Sequence, residues 1–588
     1  MGGYSFNGTY PRVGHDAARA ANWTSNGGGG IVYHISAGFE SAQCITSKID
    51  QATKTVVFDA TQGCDQGPQL FQTANGGLGW YAENIKEECD VPGEFYFGKF
   101  ETALPMLWFT FNGTETPTGS EEFSLVTTKV LFNVSGTQAA PVRDVTIRGL
   151  TIRDAALTFL GTTDADVHIP VSDSDWTIQR SGAVLIEGTE RFTFEANHVT
   201  RVDGNGLKLS NYNRNASIVA NEFSWIGDSA MSSLGSMGDC LYANCSVKLS
   251  YREQGKYGHV NKGSSGVDGR GGNQPRRTRV VGNLVREVGL WQKQSNAWVQ
   301  HLTAATRIIG NVFMNGPHAM VSMNDGFGGA DDVVGNLMMN SNRQTFAHGV
   351  INLWERVPYI NDEGLVRNYT KARLVSDYRN YSKDGSNVDY KQMPTLEELH
   401  AGAIPGFDLA PPGVGSAVSQ FRRVHNNILI ANYHALSAVT LDDAASRMLV
   451  YSNLLAYGAW GVGESCHNSQ WVMGVGNMYY FTDGQGAMIF SEGPSPTAIR
   501  TFFANSTFLN TRDSSWCGNA EQTRLNLTQF WDNKVHSPTG AATGGHCNGG
   551  GTSLFPQMPA GSATALAAEI LAPYPKAAQI KTDDSDCY

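Results

Sequence analysis

One short pattern recurs along this chain: an apolar stretch, a small residue, an asparagine and a second apolar stretch. It reads FEANHV, IVANEF, VVGNLV, IIGNVF, VVGNLM, HNNILI, VYSNLL and GVGNMY, with the asparagine at Asn197, Asn221, Asn283, Asn311, Asn336, Asn427, Asn453 and Asn477. Successive steps are 24, 62, 28, 25, 91, 26 and 24 residues, so five of the seven share one period and two require insertions. A period of this size marks a solenoid, because propeller blades need about 40 residues or more. Leucine-rich repeats have similar length but carry a Leu-rich consensus absent here. The repeated segments are 4–7 residues long, rich in Val, Ile, Phe and Leu, and bounded by Gly, Asn, Asp and Ser. Those are short strands between turns. The pattern predicts an all-β, right-handed parallel β-helix in which each turn asparagine bonds to its equivalent one coil away.

The same logic divides the chain. VRDVTIRGLTIRDA (Val142 to Ala155) alternates with period two and opens the main helix, expected over 136–500. Residues 1–85 are read as an N-terminal segment with the first coils, 86–135 as a small β insert, and 501–588 as a disulfide-containing cap. The stretches 236–278 and 357–420 break the repeat and read as loops. Long loops on a rigid scaffold often carry binding.

Three segments share a second pattern: HAMVSMND (His318 to Asp325), HGVINLWE (His348 to Glu355) and HALSAVTLDD (His434 to Asp443). Each is a histidine, an alternating apolar run and a carboxylate. If the 357–420 stretch is looped out, these are three successive coils about 4.8 Å apart. Asp325, Glu355 and Asp442 would then line one face, with His348 beside them. Paired carboxylates suit glycoside hydrolysis, at about 5–5.5 Å for retention or about 6.5–9.5 Å for inversion. Crowding also raises one carboxyl pKa, as a general acid requires. His318, Asn324, Trp354, Arg356, Tyr359, His434 and Asp443 surround these acids and suit substrate binding, since aromatic faces stack on sugars and Arg pairs with anionic groups. Stacked histidines in a β-helix can equally serve to satisfy one another. No metal-ligand spacing is present and no cofactor is expected; calcium, as a structural ion, would favour the oxygen-rich Asp325, Asp331 and Asp332.

At these motifs the chain resembles right-handed β-helix proteins related to glycoside hydrolase family 141. The matching pieces are VPGEFYF, VRDVTIRGLTIRDA, MNDGFGG, AHGVINLWERVPY and ANYHALSAVTLDDAASRMLVYSNLL, over roughly 85–480. Family members read more like DAPGEWYYD, NDGFGG, HGPFNSWDR and DNDDGS, so Glu355 stands where Asp is usual. The resemblance implies attack on plant or algal polysaccharide by Asp325, Glu355 and Asp442 or Asp443, with His348 beside them. Polygalacturonase motifs match poorly, because His348-Gly349 precedes Asp442-Asp443 and no Arg-Ile-Lys follows.

Composition narrows the partners. Net charge is −11 without a long basic run, so nucleic acid is not an expected partner. No apolar run approaches the ~20 residues of a membrane span. Ten Asn-x-Ser/Thr sequons (Asn7, Asn22, Asn112, Asn133, Asn215, Asn244, Asn368, Asn380, Asn505 and Asn526) and nine cysteines point to a secreted or cell-surface glycoprotein. MGGYSFNGTYPR carries no signal peptide, as expected of a mature chain. Cys240 with Cys245, Cys44 with Cys64, and Cys517 with Cys547 are candidate disulfides, and the odd count leaves one thiol over. The expected partner is a polysaccharide or glycan. The alternatives are a polysaccharide lyase of the same fold, or a non-catalytic cell-wall, adhesive or filament-forming protein that self-associates.

Overall fold

The computed structural model describes residues 3–5, 23, 31–36, 40–50, 55–58, 79–98, 106–113, 117–158, 179–235, 274–324, 329–345, 348–354, 422–431, 437–441, 446–457, 460–464, 470–480, 487–489, 501–504, 507–509, 528–531, 534–536 and 553–555. They form a right-handed parallel β-helix with three faces, one strand of each face per coil. The first face runs through Val184–Glu190, Leu207–Arg214, Met231–Leu234, Trp298–His301, Val321–Asn324, Ile351–Trp354 and Ser437–Leu441. The second includes Thr193–Glu195, Ser217–Val219, Arg279–Val281, Arg307–Ile309, Asp332–Val334 and Arg422–His425. The third includes His198–Val202, Glu222–Ile226, Leu284–Val288, Val312–Met314, Leu337–Met339 and Ile428–Ile430. The inward residues of all three faces, among them Val184, Leu209, Phe194, Phe223, Ile308 and Met338, form one hydrophobic core. Each fully buried aliphatic side chain there contributes about 1.5–3 kcal/mol.

The asparagines occupy the tight turn from the second face to the third. The residue before each of them, from Ala196 to Gly476, takes a φ of 52° to 67°. This left-handed conformation reverses the chain within two residues and is why Gly recurs there. All eight asparagines are buried. Asn283 donates from its backbone N–H and from Nδ2 to Oδ1 of Asn311, both at 2.9 Å. Its Nδ2 also donates to the Ile218 carbonyl on the preceding coil. The same arrangement links Asn197 to Asn221, Asn311 to Asn336, Asn336 to Asn427, Asn427 to Asn453 and Asn453 to Asn477. Asn336 and Asn427 are neighbours across their 91-residue separation, so the intervening insertion leaves the solenoid at one coil and rejoins at the next.

Several boundaries differ from expectation. Parallel pairing on the first face already includes Phe132–Ser135, inside the stretch assigned to the β insert. The insert itself pairs Phe95–Gly98 antiparallel with Met106–Phe109. The strands at 31–83 were expected to open the helix; instead Ile31–Ser36, Glu40–Asp50, Thr55–Phe58 and Gly79–Glu83 form an antiparallel sheet with Gly3–Ser5. An apolar alternating strand has the same sequence signature in either pairing. At the other end, Thr501–Ala504, Thr507–Leu509, Thr528–Trp531, Lys534–His536 and Ser553–Phe555 continue the second and third faces past the expected limit of 500. Most of both loop insertions, and Cys64, Cys240, Cys245, Cys517 and Cys547, lie outside the described residues, as does the side chain of Cys44.

The ladder yields a direct test. Asn311→Ala strips the buried Asn283 N–H and Val280 carbonyl of their partners, which costs about 2–4 kcal/mol. Urea unfolding should show that loss; a change under about 0.5 kcal/mol would mean the ladder does not hold the coils together.

Candidate functional site

The first face differs from the others on its outer side. Along the second face several outward residues are at least partly open, as at Thr193, Glu195, Ser217, Val219 and Arg279, while on the third face Val312, Met314, Leu337 and Ile428 form a second buried cluster that is apolar. Along the first face every residue of Met231–Leu234, Trp298–His301 and Val321–Asn324 is buried. Alternate residues Leu207, Met231, Trp298, Val321 and Ile351 belong to the core. Strand pleating therefore sends Lys208, Ser210, Ser232, His301, Ser322, Asn324, Asn352 and Thr440 outward, and all are inaccessible. A solenoid needs no cover on its outer surface for stability. A polar row covered over successive coils is the feature that marks a site.

The register aligns the row. Val321 pairs with Ile351 and Asn324 with Trp354; Ile351 then pairs with Val439 and Leu353 with Leu441. Asn324 and Trp354, in register, immediately precede Asp325 and Glu355 in sequence. The two long insertions into the repeat both follow the C-terminal ends of first-face strands, after Met231–Leu234 and Ile351–Trp354. Asp325, Glu355, Arg356, Tyr359, His434, Asp442 and Asp443 themselves lie outside the described residues, as does the Trp354 side chain. Between Ile351–Trp354 and Ser437–Leu441 the described register ends where Leu353 pairs with Leu441.

His318 and His348 are described and lie at the corner that enters the first face. Both are buried. Their rings meet edge to face at 4.3 Å between centroids, with His318 Nε2 2.7 Å from His348 Nδ1. Asn296 on the preceding coil fixes the protons. Its Nδ2 donates at 2.7 Å to the Ala319 carbonyl, so the atom 3.0 Å from His318 Nδ1 is also that donor. His318 Nδ1 therefore accepts, His318 Nε2 carries the hydrogen and donates to His348 Nδ1, and a neutral His348 holds its own proton on Nε2. The histidines stack as a second ladder, parallel to that of the asparagines. Burial, then the neighbouring His348, holds the His318 pKa well below its usual value.

Several groups in the row were missed by sequence reasoning. Lys208 and His301 point outward on strands separated by Met231–Leu234, and burial followed by Lys208 and Arg180 drives the His301 pKa well down. Arg180 bridges two coils, donating to Ser210 Oγ, Asn211 Oδ1 and the Leu234 and Gly235 carbonyls. Ser210 Oγ donates to Glu187. The signal was present in GLKLS, where Lys208 and Ser210 alternate with the core residues Leu207 and Leu209. A search for carboxylates alone passed over it. Asp331 and Asp332, considered for calcium, face cations instead. Arg422 Nε lies 3.3 Å from Asp331. Arg423 and His425 hold Asp332. Burial pushes Asp332 up, but His425, Arg423 and Arg307 outweigh it and keep the carboxyl below the usual range. Among the described residues no cluster of three or more His, Cys, Asp or Glu could hold a metal, and no helix is long and apolar enough to cross a membrane. Asn112, Asn133 and Asn215, the sequons on described residues, are all exposed.

No family model and no curated protein matches the chain. Solved structures similar to it include a glycoside hydrolase at 10% identity, covering 91% of this chain and 67% of that one with a TM-score of 0.39. Others are the A-module of the Azotobacter vinelandii mannuronan C-5 epimerase AlgE4 (10% identity, 64% and 77% covered, TM-score 0.31) and the Yersinia enterocolitica family 28 exopolygalacturonase (9%, 90% and 99%, 0.31). Likeness at this level carries no inference about activity.

The buried imidazoles predict an acid-sensitive fold. Histidines in the unfolded chain titrate near 6.5, whereas His301 and His318 resist protonation when folded. The unfolded state binds more protons below that pH, so stability falls on acidification. Asp331 opposes this: burial, against the pull of Arg422, lifts it to about 6, so the folded chain keeps a proton the unfolded chain releases. Each imidazole contributes a loss of about 1.4 kcal/mol per pH unit below about 6, offset in part by Asp331 and by Asp203, whose carboxyl burial also raises. Urea midpoints at pH 7 and pH 5 measure it; equal stability would show that these rings do not stay neutral.

Proposed function

We propose that this chain is a secreted carbohydrate-active protein, a glycoside hydrolase that holds a plant or algal polysaccharide along the outer row of its first face. The observation that carries this reading is the covered polar row itself, buried over successive coils, whereas the buried outer cluster of the third face is apolar. The register supports carboxylate pairing at its edge. Asn324 and Trp354 pair on adjacent strands, about 4.8 Å apart; Asp325 and Glu355 follow them directly in sequence, and Asp442 and Asp443 follow Leu441 on the third. Two carboxyl groups so spaced supply an acid and a base or nucleophile. Exposed sequons at Asn112, Asn133 and Asn215 support secretion. Kinship with glycoside hydrolase family 141 rests on the sequence motifs.

His348 has a limited part in this reaction. With Nδ1 engaged by His318, its neutral ring offers a donor at Nε2 and no free lone pair to act as base. The proton transfers therefore fall to the carboxylates.

The test is reducing-end release from a panel of plant and algal polysaccharides, comparing the parent with Glu355→Gln. Loss of an acid or base should reduce turnover by about a hundredfold or more, with an unchanged thermal midpoint. Equal rates would remove Glu355 from the mechanism. Products absorbing as unsaturated uronates would identify a lyase, and glycan binding without release would identify a non-catalytic protein.

A further inference from the structure

Resting on that reading, we infer that Asn352, with Asn324 on the adjacent coil, forms a subsite that reads the hydroxyl groups of an extended saccharide. Asn352 is fully buried on the outer row, and neither its Oδ1 nor its Nδ2 has a hydrogen-bond partner among the described residues. Asn324, also fully buried, accepts from Ser322 Oγ at 3.0 Å but leaves Nδ2 unpaired. Buried amides are nearly always satisfied, and an exception signals a water or a ligand. Other buried asparagines with an unpaired atom retain bonds through the rest of the amide: Asn205 to Ser181, Asn296 to Ala319 and Asn342 to Thr345. Asn352 does not.

The chemistry of the array selects the ligand. A carboxamide presents a donor and an acceptor side by side. A carboxylate or sulfate would satisfy Nδ2 and leave Oδ1 facing negative charge. An apolar group would satisfy neither. Hydroxyl groups donate and accept at once, and a pair of them on one sugar ring answers both atoms. A second wholly unpaired amide, Gln274, sits beside Gly235, directly after the first-face strand Met231–Leu234. That coil is three steps from Asn352, with Trp298–His301 and Val321–Asn324 between. The span is roughly 14 Å, longer than one sugar residue. The ligand is an oligo- or polysaccharide, read at Asn352 through uncharged hydroxyls.

Because the Asn352 carboxamide has no hydrogen-bond partner among the described residues, truncating it should cost little stability, unlike truncation of a ladder asparagine. Asn352→Ala is compared with Asn311→Ala and the parent by thermal unfolding and by native electrophoresis in gels containing xylan, homogalacturonan, alginate or fucoidan. The expected result is a midpoint within about 1 °C of the parent, a clearly lower midpoint for Asn311→Ala, and at least tenfold weaker retardation of Asn352→Ala on the polysaccharide that retards the parent. A midpoint depressed as far as that of Asn311→Ala would show that the amide is structural and overturn the subsite. Undiminished retardation would overturn it too while leaving the glycan-binding function intact. Retardation of the parent by none of the four would overturn the subsite together with the proposed function.

Discussion

The buried amide at the turn between the second and third faces is the interaction on which this molecule depends. A tight reversal every coil leaves backbone donors and acceptors inside the protein with no strand partner. Asparagine answers with a side chain that copies the peptide group. Its Oδ1 takes the N–H of the coil before, and its Nδ2 reaches back to a carbonyl there and forward to the next asparagine. Each rung therefore links three coils. The rungs fix the axial spacing, and the axial spacing sets the register of the first face, where the outward polar row is assembled from strands far apart in sequence.

That dependence explains what was legible in the sequence. The ladder was visible because one residue type must recur in one turn, and the amide geometry admits few substitutes. The looping-out of the long insertion was visible for the same reason, since Asn336 and Asn427 belong to one column whatever lies between them. The offset of 30 between Asp325 and Glu355 also survives, because Val321 and Ile351 pair directly. The antiparallel sheet at 31–83 was misread because side-chain alternation reports pleating and says nothing of strand direction. Lys208 and His301 went unnoticed because their importance arises from coverage of the row, which no local pattern encodes.

The two histidines illustrate how one residue type can be drawn into either structural or chemical use. Asn296, His318 and His348 continue the logic of the asparagine column at a different corner, with rings in place of amides. The chain of donors and acceptors has a fixed direction because the Ala319 carbonyl admits only a donor. A histidine tied in this way is a poor pH sensor and a poor base, yet a good support for the strand that follows it. The imidazoles brace the entrance to the first face, while the candidate acids follow its strands in sequence.

The repeated departure of the chain from the exit edge has a consequence for how such a protein can change. Closing a flexible loop costs free energy that grows only with the logarithm of its length, about 0.6 kcal/mol per doubling. A ladder step of 91 residues in place of the usual 24 to 28 is fewer than two doublings, so the added cost is roughly 1 kcal/mol, comparable to the net worth of one hydrogen bond. The column behind it is untouched. Insertions at this edge can therefore be lengthened, shortened or exchanged almost independently of the scaffold, whose coils, bolted by asparagine, stay where they are.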